Sequence, residues 1–306
     1  MRRVFSGGRA WIVVMVFFLL AVTDASSQTV TGTIRGIVRD TSDAVLPSVS
    51  ITVRNVDTGI TRNALTNETG NYNVPFLAPG NYDVTAELPG FRKEVRSIVR
   101  VEVNQQLLIN FVLSVGQVTE SVKVEATAIT VETETASIHK TVDEKKVVEL
   151  PLNGRNFLEL NLLVPGVAPP LKGTQLQTQG GAINANGLRE ASNFFWLDGM
   201  DNTTSLIGQY VVKPSIDTVK EFKVESSSYS AEFGRTAGAQ MNVLTKSGTN
   251  QFHGDAYEFV RNDIFDARNF FSDKKPPLRR NQFGGTVGGP ILMERTFFFA
   301  SVVSHK

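Results

Sequence analysis

Hydrophobic and polar positions alternate with period two through the first third of the chain. Ile34, Gly36 and Val38 form one such run, Val49, Ile51 and Val53 a second, Tyr82, Val84 and Ala86 a third, and Leu107, Ile109, Phe111 and Leu113 a fourth. Period-two spacing puts one face of each segment in a core and predicts strands. Turn residues stand between the runs at Asp57, Thr58 and Gly59, at Thr69, Gly70 and Asn71, at Ala78, Pro79 and Gly80, and at Pro89 and Gly90. Glycine and proline there supply the backbone angles of tight turns. Short strands at this spacing predict a small β-sandwich over residues 28–115.

The pattern then changes. Residues 116–140 are polar and rich in Thr and Glu, with one alternating piece: Glu120, Ser121, Val122, Lys123, Val124, Glu125 and Ala126. It reads as a strand-forming peptide in a linker, and equally as a last sandwich strand. Thr141, followed by Glu144 three residues on, has the spacing of a reciprocal helix cap and predicts a short helix through Val148. Leucines at 158, 160, 162 and 163 run up to Pro165 and Gly166. A Gln-, Gly- and Asn-rich loop over 175–187 precedes the apolar strand Phe194, Phe195, Trp196 and Leu197 and the turn pair Asp198 and Gly199. Beyond Lys246, aromatic-rich strands are expected over 252–261, 282–287 and 296–303. A long connection over 262–280 joins the first two, and a turn at Gly288, Gly289 and Pro290 precedes the third.

The amino terminus carries Arg2, Arg3 and Arg9, then an apolar run from position 11 to 22, then Ala25, Ser26 and Ser27. That order predicts an export signal over residues 1–27, too short for the roughly 20 residues of a spanning helix. The 306 residues, with 41% hydrophobic content, allow about two folded domains. Lys and Arg total 31 against 30 Asp and Glu, so charge provides no argument for nucleic acid. With no cysteine, disulfide scaffolds and thiolate metal sites are excluded.

Residues 36–84 carry G-I-V-R-D, L-P-S-V-S-I-T-V, T-N-E-T-G-N-Y and L-A-P-G-N-Y-D-V in that order. This segment resembles the carboxypeptidase regulatory-like domain, a prealbumin-type sandwich grouped with carbohydrate-binding-like folds, which implies a non-catalytic accessory. Downstream come L-P-L-N-G-R-N-F (Leu150, Pro151, Leu152, Asn153, Gly154, Arg155, Asn156 and Phe157), F-F-W-L-D-G-M-D, D-T-V-K-E-F-K-V-E-S and a Gly-rich stretch ending in N-V-L-T-K. Together they resemble the plug of Oar-like TonB-dependent outer-membrane receptors, here over residues 141–250. The resemblance implies a mainly β chain: the sandwich, an α+β plug, and the first strands of an incomplete transmembrane β-barrel over 251–306. It implies location in the outer membrane of a Gram-negative-type bacterium, contact with its lipid, and plug and sandwich on the periplasmic side. It further implies energy-coupled uptake of a ligand such as an oligosaccharide or peptide, with TonB as partner. Residues Glu120 to Ala126 stand where that family places its TonB box, a peptide that adds as a strand to a partner's sheet edge.

About three barrel strands fall short of the roughly 8 of the smallest single-chain barrels, so the expectation is a fragment or truncated product that aggregates when isolated. The alternative is a periplasmic or secreted carbohydrate-binding module. No catalytic, cofactor or metal site is expected. His139, His253 and His305 lack the spacing of a zinc motif; Asp57, Thr58 and Gly59 read as a hairpin turn rather than a protease triplet. Gly284, Gly285, Gly288 and Gly289 lack the Lys of a phosphate loop. Asp198 and Asp201 read as turn residues rather than calcium ligands, and Phe194, Phe195 and Trp196 as core rather than a sugar platform.

Overall fold

The computed structural model describes residues 31–116, 121–125, 137–150, 152, 155–169, 183–204, 208–229, 237–268 and 270–305. The export signal lies outside them. Nine strands build the amino-terminal unit: β1 (Gly32–Asp40), β2 (Ser50–Asn55), β3 (Thr61–Leu65), β4 (Asn71–Leu77), β5 (Gly80–Glu87), β6 (Lys93–Val101), β7 (Gln106–Leu108), β8 (Phe111–Leu113) and β9 (Ser121–Glu125). One sheet runs β4-β1-β7 with β8 also on β1; the other runs β3-β2-β5-β6-β9. The alternating residues meet between the sheets, where Ile34, Val38, Ile51, Val53, Val84 and Phe111 are fully buried. The expected strand through Leu107 and Leu113 is split at Ile109 and Asn110. There the Ile37 N–H donates to Asn110 Oδ1 at 2.9 Å and the Tyr72 hydroxyl donates to the Ile109 carbonyl at 2.7 Å. Gly36 opposes that carbonyl so closely that a Cβ would overlap it.

The second unit contains β10 (Ile138–Asp143), helix α1 (Glu144–Glu149), a 3-10 helix (Phe157–Leu163), β11 (Val167–Ala168), β12 (Asn184–Ala185), β13 (Phe194–Leu197), β14 (Met200–Asp201), a 3-10 turn (Ile216–Thr218), β15 (Val219–Ser227) and β16 (Gln240–Thr245). Its main sheet has the order β10-β15-β16-β13-β14. Val142, Val147, Phe157, Leu160, Phe222, Val224 and Met241 pack on one side of it. The helix starts later than the Thr141 and Glu144 spacing predicts. Asp143 is the N-cap and accepts from the Lys146 N–H at 3.0 Å, while Thr141 stays in β10, paired with Lys223. Sheet pairing wins over the local cap, because a ladder position satisfies backbone groups on both neighbouring residues.

The third unit is an open antiparallel sheet of β17 (His253–Asn262), β18 (Arg279–Leu292) and β19 (Thr296–His305). These strands of 10, 14 and 10 residues reach the roughly 9–11 residues needed to cross a bilayer when tilted. Residues 263–278 form the long connection. The expected turn at Gly288, Gly289 and Pro290 is incorrect: all three lie inside β18, and the chain reverses at residues 293–295, with Glu294 at φ 60°. The glycines serve packing instead, since a Cβ at 288 would strike His253 and Phe299, and one at 289 would strike Phe252.

Candidate coupling and plug site

The alternating peptide folds as a strand. Residues Ser121–Glu125 form β9, the edge of the second sandwich sheet, parallel to β6 with Lys93 opposite Ser121 and Ser97 opposite Glu125. Glu120 and Ala126 lie outside the described residues, as do Pro151, Asn153 and Gly154 of the plug motif.

The rest of that motif converges on a charged anchor. Leu150 closes α1, its N–H donating to the Lys146 carbonyl, and Leu152 packs against the core of the second unit. Asn156 caps the 3-10 helix by accepting from the Leu158 N–H, and buried Phe157 meets the Phe222 ring edge-on at 5.6 Å between centroids. Arg155 turns the other way. Its backbone is left-handed at φ 55°, and Nη2 lies 2.6 Å from Asp217 Oδ1 with both side chains largely buried. Its guanidinium carbon stands 3.7 Å from the Phe259 ring centroid and 4.9 Å from that of Tyr257, both on β17. Thus a loop of the second unit is stacked on the first strand of the third unit. The Asp198 and Gly199 pair, both at positive φ, turns β13 into β14. Asp198 then accepts from the Thr245 N–H at 2.7 Å and the Thr245 hydroxyl at 2.8 Å. It ties the turn to the end of β16, as a structural group.

The other face of β15 holds residues that sequence reasoning did not single out. Glu221, Lys223 and Glu225 alternate with Phe222 and Val224, a spacing that reads as a solvated face, yet all three are buried. Lys223 Nζ lies 3.2 Å from Glu225 Oε1 and donates to the Val103 carbonyl at 3.0 Å; the Val103 N–H donates to Glu221 Oε1 at 2.7 Å. Val103 belongs to the β6–β7 turn, so one sandwich residue is held through both its N–H and its carbonyl by the second unit. Burial pushes the Glu221 carboxyl up to about 6, against the opposing pull of the Val103 N–H. Burial likewise lowers the pKa of Lys220, whose Nζ donates to the Pro79 carbonyl at 2.8 Å. A third tie joins sandwich and barrel-type sheet. The Asn250 N–H and Nδ2 donate to the carbonyls of Asp57 and Thr58, and Asn250 Oδ1 accepts from the Glu294 N–H at 2.8 Å. Asp57, Thr58 and Gly59 do form the expected β2–β3 turn, with Gly59 at φ 74°. Phe194 and Phe195 are core, and half-buried Trp196 donates to Gln240 Oε1 at 2.9 Å.

Residues 33–114 match the carboxypeptidase regulatory-like domain, and residues 244–304 match the outer membrane beta barrel domain. A curated relative, the TonB-dependent transporter Oar of Myxococcus xanthus, is 26% identical over 294 aligned positions, covering 90% of this chain and 26% of its own length. The chain is homologous to this TonB-dependent transporter. It spans about a quarter of that relative's length. Among solved structures, the siderophore receptor PirA from Acinetobacter baumannii is similar at 16% identity and a TM-score of 0.41, over 55% of this chain and 24% of that one. A ferric enterobactin receptor mutant from Pseudomonas aeruginosa is similar at 16% identity and a TM-score of 0.39, over 57% and 26%. The chain is mainly β, as expected, and the matched relative is a TonB-dependent transporter. The barrel-domain match and the Oar likeness both point to the outer membrane.

Proposed function

We propose that the chain is the sandwich, coupling peptide, plug and first barrel strands of a TonB-dependent outer-membrane receptor that takes up a ligand by energy-coupled transport and has no catalytic role. The observation that carries this is the order of parts. A regulatory-like sandwich, an edge-forming peptide, a plug sheet and barrel-length strands follow one another along a chain that aligns with Oar over 90% of its length.

Orientation has its own support. Outer-membrane barrels have short turns on the periplasmic side and long loops outside. The short 293–295 turn lies at the end of the sheet where Asn250 and Glu294 meet the sandwich, and the 263–278 connection lies at the far end of β17 and β18. The sandwich and plug therefore sit on the periplasmic side in this reading, within reach of TonB. The site motifs take roles accordingly: residues 120–126 couple to TonB, Leu150 to Phe157 anchor the plug, and Asp198 and Gly199 shape its sheet. An oligosaccharide or a peptide is the ligand class this reading carries.

Deleting residues 120–126 from the full-length receptor is expected to abolish energy-dependent uptake while leaving ligand binding at the cell surface intact. Unchanged uptake would refute the coupling role.

A further inference from the structure

The coupling peptide is already engaged, and its partner is the chain's own sandwich. We propose that β6 latches β9: TonB captures the peptide only by replacing β6 as its strand partner, and the pull reaches the plug only after that exchange. The inference rests on residues 120–126 being the coupling peptide.

Three features of the ladder support a latch rather than a permanent strand. The chain is delivered to it by a fixed anchor, since Val115 bridges to Phe91 and the Gly116 N–H donates to the Gly90 carbonyl, just ahead of Lys93 where the pairing starts. Among the described residues the ladder has five pairs. At Ile98 β6 bulges: the backbone is left-handed at φ 59°, the β5 register slips, and the Ile98 N–H is taken by Asp83 Oδ1 at 3.2 Å. A bulge of this kind bends the strand just past the last described pair. Finally, among the described residues the sheet order ends at β9, the edge position from which a strand is exchanged without opening the sheet.

The mechanical consequence follows from position. β9 lies between the Gly116 anchor and the start of the plug at Ile138. While β9 is laddered to β6, a load on it is borne by the sandwich sheet. Once it peels away, the same load passes along residues 126–137 to β10, which pairs with β15 in the plug sheet. The sandwich would then set how readily TonB engages, because a partner that binds only the released peptide binds more weakly in proportion to the fraction released.

The test uses the whole chain in detergent with Val95→Cys and Lys123→Cys, register partners across the β6–β9 ladder in a sequence that has no other cysteine. The probe is the purified periplasmic domain of TonB. Expected is a disulfide that forms under mild oxidation and weakens TonB binding about tenfold or more, with full recovery on reduction. Failure of the disulfide to form would overturn the latch whatever TonB does. A disulfide that forms while oxidised and reduced chains bind TonB equally would also overturn it, because TonB would then be using the outer edge of β9. If the disulfide forms and neither state binds TonB, the coupling reading itself fails, and β9 is only the last strand of the sandwich.

Discussion

The guanidinium of Arg155 is stacked 3.7 Å from the ring centroid of Phe259, and this contact joins the second unit to the first strand of the third. The same guanidinium is ion-paired to Asp217 at 2.6 Å, so one side chain serves both units. Charge is satisfied within the second unit, and the flat face of the cation covers aromatic surface on the third.

Arg155→Ala leaves the Asp217 carboxylate buried without its partner, a loss of about 3–5 kcal/mol for a pair of this kind. Arg155→Lys keeps the charge but not the planar stacking, and is expected to recover only part of it. Thermal unfolding of the chain in detergent micelles measures both; an alanine variant as stable as the parent would show the anchor to be inert.

Asp198→Ala removes both hydrogen bonds to Thr245 and places alanine at φ 50°. A destabilisation of about 2 kcal/mol is expected from the unpaired Thr245 groups and the left-handed backbone. Asp198→Asn keeps an acceptor and tolerates that conformation, so it should lose less. Denaturant titration of the two variants side by side gives the ranking.

Glu221 gives the contact between the sandwich and the second unit a pH dependence. Its folded value, raised to about 6 from 4.5, means the folded state holds the proton more tightly. The contribution of this group is fully present below about 4.5 and is lost as pH rises through about 6. Glu221→Gln keeps an oxygen acceptor for the Val103 N–H and carries no charge, so the difference in melting temperature between variant and parent should grow in the variant's favour from pH 4.5 to 7. A difference that is flat across that window would show that Glu221 titrates normally.

Gly36→Ala tests the sandwich. A Cβ there would overlap the Ile109 carbonyl, a backbone atom also held by the Tyr72 hydroxyl, so it cannot move aside cheaply. A loss of about 1–3 kcal/mol or more is expected, seen as a lower melting temperature of the unit that contains β1, β7 and β8.

The period-two runs placed the sandwich strands because each has one buried face, and Ile34, Val53 and Val84 sit where alternation puts them. The break at Asn110 was hidden, since an asparagine side chain replacing a ladder partner looks like any polar position in an alternating strand. The plug motif was legible as a resemblance, but the role of Arg155 was not: its partners, Asp217 and Phe259, lie 62 and 104 residues away. Glu221, Lys223 and Glu225 were not singled out for a physical reason. Their spacing is that of a strand with one wet face, yet all three are buried, with Glu221 and Lys223 bonded to Val103 of the sandwich. The glycine pair in β18 misled in the opposite way: Gly288 and Gly289 combine with Pro290 as a turn does, yet they make room for Phe252 and Phe299 across the sheet.

The most direct test of the receptor reading is where the native protein resides, using an antibody raised against residues 31–115 on fractionated cell envelopes. The account predicts a signal in the outer-membrane fraction that co-precipitates TonB and loses that association when residues 120–126 are deleted. A soluble periplasmic signal with no TonB association would contradict it and favour a free-standing binding module.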